Sequence, residues 1–200
     1  MPVEKWRDNY FVLNAPKRLL TDDLLARFSA LNKETRMERT AEGHWLIMPG
    51  VGGTLGIANI HLTARLYFWN EENEEGARGV AFSSCIGYHL PNGAVRSPDA
   101  SWVSQKRWKK LTKKQKKGFP PLCPDFVAEF VGPPQGLPEM QDKMREYFDN
   151  GSRLGWLIDP KSKRVEIYRT GRDVEVLDNP LMLSGENVLP GFVLDLEEIL

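Results

Sequence analysis

Apolar and polar positions alternate with a clear period of two over residues 123–132, CPDFVAEFVG. This pattern predicts a strand. Asp125, Val127, Glu129 and Val131 would share one face and Phe126, Ala128 and Phe130 the other. Both faces are largely apolar, which suits a strand covered on both sides. A carboxylate in the middle of such a strand is expensive to bury unless a partner neutralises it or an ion binds it. What Glu129 faces is therefore the first question.

The same reading places the other elements. Thr21 stands as an N-cap before Asp22 and Asp23, where the helix dipole favours acids, and Leu24, Leu25, Phe28 and Leu31 form the stripe of a helix running to about Asn32. Residues 36–49 read as a hairpin, with strands at 37–40 and 44–48 and a turn at 41–43. The Gly-rich turn at 49–56 misses the dinucleotide spacing because Leu55 stands where the last glycine is needed. The helix after it carries Ile57, Ile60, Ala64, Tyr67 and Phe68 on one side and Leu62, Leu66 and Trp69 on another. Apolar on two sides, it calls for a cover beyond the sheet and points to a homodimer. An acidic loop at 72–79 precedes strands at 80–84 and 86–90, a turn at Pro91-Asn92-Gly93, and one strand over 94–103 whose face reads Val95, Ser97, Asp99, Ser101, Val103. Beyond a rigid loop at 132–138, a helix over 139–150 ends at Gly151, and strands follow at 153–160, 164–169 and 173–177. The last twelve residues read as a strand or loop with a short helical tail. This order argues an α/β fold with a mixed sheet, as an N-terminal arm (1–20) and a single domain (21–200).

Composition narrows the function classes. The hydrophobic fraction of 41% and charged fraction of 27% are those of a folded globular chain. With 27 basic and 27 acidic residues there is no global polyanion-binding charge, so any nucleic-acid contact needs a local patch. Such a patch exists at 106–117, where Lys106, Lys109, Lys110, Lys113 and Lys117 would form one stripe of a helix. The run reads equally as a solvated face or as a phosphate-contacting one. Cys85 and Cys123 have no zinc or redox spacing, and the N-terminus lacks the plan of a secretory signal, so a cytoplasmic location is expected. No stretch has the apolar length for a membrane span. His44, His61 and His89 have no ligand spacing, and Ser83-Ser84 lacks a nucleophile elbow.

The residues that could do chemistry are acids and one lysine. Asp99 follows Pro98 and Glu129 lies mid-strand. Lys143 flanks the buried stripe Met140, Met144, Phe148 of a helix, and Glu38 sits in the first hairpin strand. Two or three carboxylates with a lysine suit a hard cation, Mg²⁺ or Mn²⁺, which would activate water against a phosphodiester while the lysine positions that water. The same residues also fit a structural reading, as a buried Glu–Lys ion pair and an Asp that starts a turn.

The segments RMERTAEGHWLIMP, RSPDASWVS, CPDFVAEF, KMREYFDNGSRLGWLIDP and VLPGFVLDL, in this order, resemble the Uma2 family of endonucleases, from about Thr21 to the C-terminus. The resemblance implies a restriction-endonuclease-like fold of the PD-(D/E)xK superfamily: a mixed β-sheet flanked by helices, with additional N-terminal and C-terminal β-hairpins. It also implies Mg²⁺-dependent cleavage of DNA. In that pattern Asp99 is the first acid and Glu129 the second. Val131 occupies the usual lysine position, Lys143 on the next helix replaces it, and Glu38 is a further acid. The chain departs from the family at Gly132-Pro133-Pro134, where Ser-Pro-Ser or Ser-Pro-Thr is usual, so two hydroxyls that would bind phosphate or cap the next helix are missing. The alternative is a module that keeps the fold but binds nucleic acid, or a second copy of itself, without cutting.

Overall fold

The computed structural model describes residues 6–7, 10–13, 21–32, 35–48, 50–73, 78–133 and 135–200. The rest of the expected N-terminal arm, the centre of the acidic loop at 74–77, Pro49 and Pro134 lie outside the described residues.

Two six-stranded sheets carry the chain. The first combines β1 (Trp6–Arg7), β2 (Tyr10–Leu13), β3 (Arg36–Arg39), β4 (Trp45–Met48), β6 (Tyr88–His89) and β7 (Val95–Arg96), in the order β1-β2-β4-β3-β7-β6. The second combines β5 (Gly79–Ser83), β8 (Ala100–Ser104), β9 (Phe126–Phe130), β10 (Leu154–Asp159), β11 (Arg164–Arg169) and β12 (Glu175–Asp178), in the order β12-β11-β10-β9-β8-β5. A C-terminal hairpin pairs β13 (Met182–Ser184) with β14 (Val193–Asp195). The helices are α1 (Asp22–Leu31), α2 (Gly53–Glu72), α3 (Gln105–Lys109), α4 (Lys113–Lys117) and α5 (Leu137–Asp149). The result is a mixed α/β fold, flanked by helices, with hairpins toward both ends. No helix is long and apolar enough to cross a membrane, among the described residues.

β9 is the buried central strand that its alternation predicts. It runs parallel to β10 and antiparallel to β8. Phe126, Ala128 and Phe130 pack with Trp156, with Leu62 and Leu66 of α2 and with Phe192 near the C-terminal hairpin. Val127, on the other face, packs with Met140, Met144 and Tyr147 of α5. The parallel β9–β10 pair needs a crossover connection, and α5 is that crossover. Thr21 caps α1 by accepting from the Leu24 N–H at 3.2 Å. Gly151, at φ +107°, ends the last turn of α5, and α5 begins at Gly136 without a side-chain cap.

Four expectations change. The strand expected over 94–103 is two strands in different sheets, β7 and β8, with Ser97, Pro98 and Asp99 crossing between them. Pro98 has no N–H for a ladder, and the Ser97 N–H donates to Glu38 instead. The basic run is two short helices, because Thr112 opens a new one with a capping box to Gln115, so the five lysines do not form one stripe. Only one of the two apolar sides of α2 is covered: Ala58, Leu62 and Leu66 are buried, whereas Ile57, Ile60, Tyr67 and Phe68 are exposed. The C-terminal tail is a turn in which Ile199 and Leu200 donate to the Leu196 carbonyl.

How closely α5 can approach the sheet is set by Gly155. A Cβ there would lie 2.6 Å from Met144 Cε and 2.9 Å from the Phe148 ring. Gly155→Val should therefore lower stability by about 1–3 kcal/mol through overpacking. Urea unfolding checks this, and an unchanged midpoint would show that α5 has room to shift.

Candidate active site

Arg36 and Glu38 are two residues apart on β3, so their side chains leave the same face. That face looks toward the Ser97–Asp99 crossing and the C-terminal end of β9. Glu38 is fully buried. Its Oε1 accepts from the Ser97 N–H at 3.0 Å and from Lys143 Nζ at 2.8 Å, and its Oε2 accepts from Arg96 at 3.2 Å. Arg96 is held in turn by Glu146 of α5.

Lys143 points inward. Its Nζ lies 2.8 Å from Glu38 Oε1 and 2.8 Å from Glu129 Oε1, and it is buried. The Tyr147 hydroxyl, one turn further along α5, donates to Glu129 Oε1 at 3.0 Å. Asp99 Oδ2 accepts from the Phe130 N–H at 2.8 Å, while its Oδ1 meets Arg36 at 2.7 Å. Glu129 Oε2 faces the same guanidinium at 3.7 Å, and Glu38 lies 3.6 Å from it. Arg36 also donates to the Ser97 carbonyl. Glu38, Asp99, Glu129 and Lys143, four residues from distant segments, thus stand in one cluster.

The electrostatics divide the two glutamates. Burial pushes the Glu38 carboxyl up, but Lys143, Arg96 and Arg36 together outweigh it, so it sits well below the usual range and is ionised. Burial also pushes Glu129 up. Lys143 pulls against this, but the nearby Asp99 and Glu38 charges add to it, and the carboxyl ends near neutrality, at about 7. One lysine shared by two acids neutralises one of them more completely than the other. Burial opposes the charge on Arg36, and Asp99, Glu129 and Glu38 hold it protonated. The Tyr147 hydroxyl, raised by burial and then by Glu129, remains a donor.

Two spaces meet here. A cleft of about 600 Å³ is lined by Arg36, Ser97 and Asp99 together with Val51, Asn59 and Phe119. A cavity of about 40 Å³ shares Arg36, Val51 and Asp99 with it and is also bounded by Glu129, Gln135 and Met140. No group of three or more acids, histidines or cysteines is arranged as a ready metal cage among the described residues. The donor chemistry nevertheless suits a hard cation. Asp99 Oδ1 and Glu129 Oε2 are carboxylate oxygens that face the two terminal nitrogens of one guanidinium, at 2.7 and 3.7 Å, so a positive group already stands against both.

The basic run lies apart from this cluster. α3 starts at the end of β8 remote from Asp99, and none of its lysines or those of α4 lines the cleft. Lys106, Lys109, Lys110, Lys113 and Lys117 are exposed. Asp125 is structural: it accepts from the Ser104 N–H at 2.8 Å and pairs with Arg107 at 3.1 Å. His61 and His89 pair with Glu198 and Asp22.

Sequence reasoning missed Arg36, Arg96 and Tyr147. Period two from Glu38 would have flagged Arg36, and helical spacing from Lys143 would have flagged Tyr147. Arg96 carried no such signal, because its partners come from β3 and α5.

The model of the Uma2 family, described as "Putative restriction endonuclease", matches residues 22–197. The crystal structure of "a putative nuclease belonging to DUF820" from Anabaena variabilis is similar, with a TM-score of 0.67 at 20% sequence identity over 81% of this chain and 88% of that one. At that identity the likeness speaks for the fold. No curated protein matches.

Glu129 holds its proton more tightly folded than unfolded, since its value rises from 4.5 to about 7. Its contribution to stability is complete at low pH and is lost as pH rises through about 7. Thermal unfolding of the wild type beside Glu129→Gln, from about pH 5 to about pH 8, should show the wild type losing ground as pH rises. A difference that stays constant would mean that Glu129 is ionised throughout.

Proposed function

Because the chain belongs to the Uma2 family, we propose that it is a divalent-metal-dependent endonuclease that hydrolyses phosphodiester bonds of DNA. The observation that carries this reading is that Asp99 and Glu129 both face one guanidinium, with Lys143 2.8 Å from Glu129. Asp99 and Glu129 would hold Mg²⁺ or Mn²⁺. When bound, such an ion acidifies a water and offsets the charge that grows on the phosphate.

The chain's own residues divide the remaining work. The Phe130 N–H fixes Asp99 through Oδ2 and leaves Oδ1 to Arg36. Tyr147 and Lys143 hold Glu129 through Oε1 and leave Oε2 toward the same place. Lys143 places its ammonium beside Glu129, where it orients the attacking water. Glu38 is expected from the sequence as a third ligand. With its oxygens taken by Ser97, Arg96 and Lys143, its role here is to position that lysine. The cleft has the volume for a phosphate and its flanking sugars.

One observation favours the non-cutting alternative. Three cations, Arg36, Arg96 and Lys143, already face the four carboxyls of Glu38, Asp99, Glu129 and Glu146, and ion pairs of this kind can be structural. Plasmid and single-stranded DNA incubated with Mg²⁺ or Mn²⁺ separates the readings. Cleavage by the wild type should fall by about 100-fold or more in Asp99→Asn, Glu129→Ala and Lys143→Ala. Cleavage that persists unchanged in these variants, or is absent from the wild type, would overturn the proposal.

The exposed lysines of α3 and α4 are proposed to neutralise DNA phosphates away from the chemistry. Replacing Lys109, Lys110 and Lys113 with alanine should weaken DNA binding without sequence preference. It should flatten the dependence of log K on log salt by about 0.9 for each phosphate no longer neutralised. A gel-shift titration measures both, and an unchanged slope would make this face merely solvated.

A further inference from the structure

We propose that Arg36 is a built-in cation that plugs the metal position, so that a divalent ion binds only by displacing its guanidinium into the cleft. The inference rests on the reading of the site as metal-dependent and adds how that site is kept closed.

Three features of the cluster support it. Each of the two metal-facing acids has one oxygen committed elsewhere: Asp99 Oδ2 to the Phe130 N–H, and Glu129 Oε1 to Lys143 and Tyr147. The oxygens left over, Asp99 Oδ1 and Glu129 Oε2, are those that meet Arg36, at 2.7 and 3.7 Å. A metal would therefore compete with the guanidinium for the Asp99 Oδ1 lone pair and for the space beside Glu129 Oε2.

Arg36 can also leave, whereas Lys143 cannot. The Arg36 side chain is 24% exposed and lines both the small cavity and the cleft; the Lys143 side chain is 3% exposed and lines neither. The Arg36 Nε is buried without a hydrogen-bond partner, so the plugged position leaves one of its donors unsatisfied. Movement into the cleft would expose that donor to water and set the guanidinium where a phosphate would lie.

Charge points the same way. The four carboxyls and three cations of the cluster differ by one, so the plugged site is close to neutral without any metal. A divalent ion added beside a fixed Arg36 would place two cations on the same two oxygens. Displacement removes that repulsion, and the substrate phosphate can then neutralise the released guanidinium.

If the plugged form dominates, it lowers the apparent metal affinity by the fraction of molecules that are open. Calorimetric titration of the full chain with Mn²⁺ should show Arg36→Gln binding roughly tenfold or more tightly than the wild type, with Arg36→Lys between them. Glu129→Gln should abolish binding in each background. Equal or weaker binding by Arg36→Gln, with loss on Glu129→Gln retained, would overturn the plug and leave the metal reading standing. No Mn²⁺ binding by any form would overturn both. A measurement on the unmodified chain covers the case in which Arg36→Gln does not fold. As Mg²⁺ saturates the wild type, the Arg36 Nε–H resonance should shift and lose its protection from solvent exchange. A resonance that stays put while Mg²⁺ binds would also overturn the plug.

Discussion

One buried ammonium group ties the architecture together. Lys143 reaches Glu38 of the first sheet and Glu129 of the second at equal distance, from a helix that joins two strands of the second sheet. Two carboxylates this deeply buried need a partner, because an unpaired charge away from water costs several kcal/mol. The lysine meets that need for both, and so it couples the placement of α5 to the placement of β3. Gly155, beneath Met144 and Phe148, lets the helix come close enough for this bridge to form.

The asymmetry between the two glutamates follows from this sharing. Glu38 collects Lys143, Arg96 and a backbone N–H, and is ionised. Glu129 collects the lysine, a tyrosine hydroxyl and a guanidinium 3.7 Å away, against two neighbouring acids, and titrates near neutrality. A carboxyl of that kind can change its protonation when the charge beside it changes, which a permanently ionised one cannot. Glu38 thus anchors Lys143, Arg96 and the Ser97 N–H, while Glu129 is the acid of the cluster that titrates near neutrality.

Much of this was legible in the chain. The alternation in residues 126–130 marked the central strand because both its faces are covered, and the apolar stripe of α5 placed Lys143 at its edge, facing in. The crossing at Ser97-Pro98-Asp99 was only partly legible. Its alternation is unbroken and Pro98 was its one visible signal; the other cause, Glu38 taking the Ser97 N–H, is an interaction 59 residues distant in sequence. The split of the basic run was visible only in Thr112 and Gln115, whose capping box competes with helix continuation. The strand period puts Arg36 on the same face as Glu38, but it does not say that Asp99 and Glu129, contributed by other segments, will meet it there.

The long reach of these interactions also governs the order in which the protein can acquire its pocket. Glu38 and Lys143 are 105 residues apart, and Arg36 and Asp99 are 63 apart. Pairings of such separation form only after large loops have closed, and they slow folding relative to local structure. On the ribosome, the hairpin bearing Arg36 and Glu38 emerges well before the helix that will neutralise it. A nascent chain therefore carries those charges in water until α5 arrives, and a fragment that stops short of residue 143 holds the acids without the pocket.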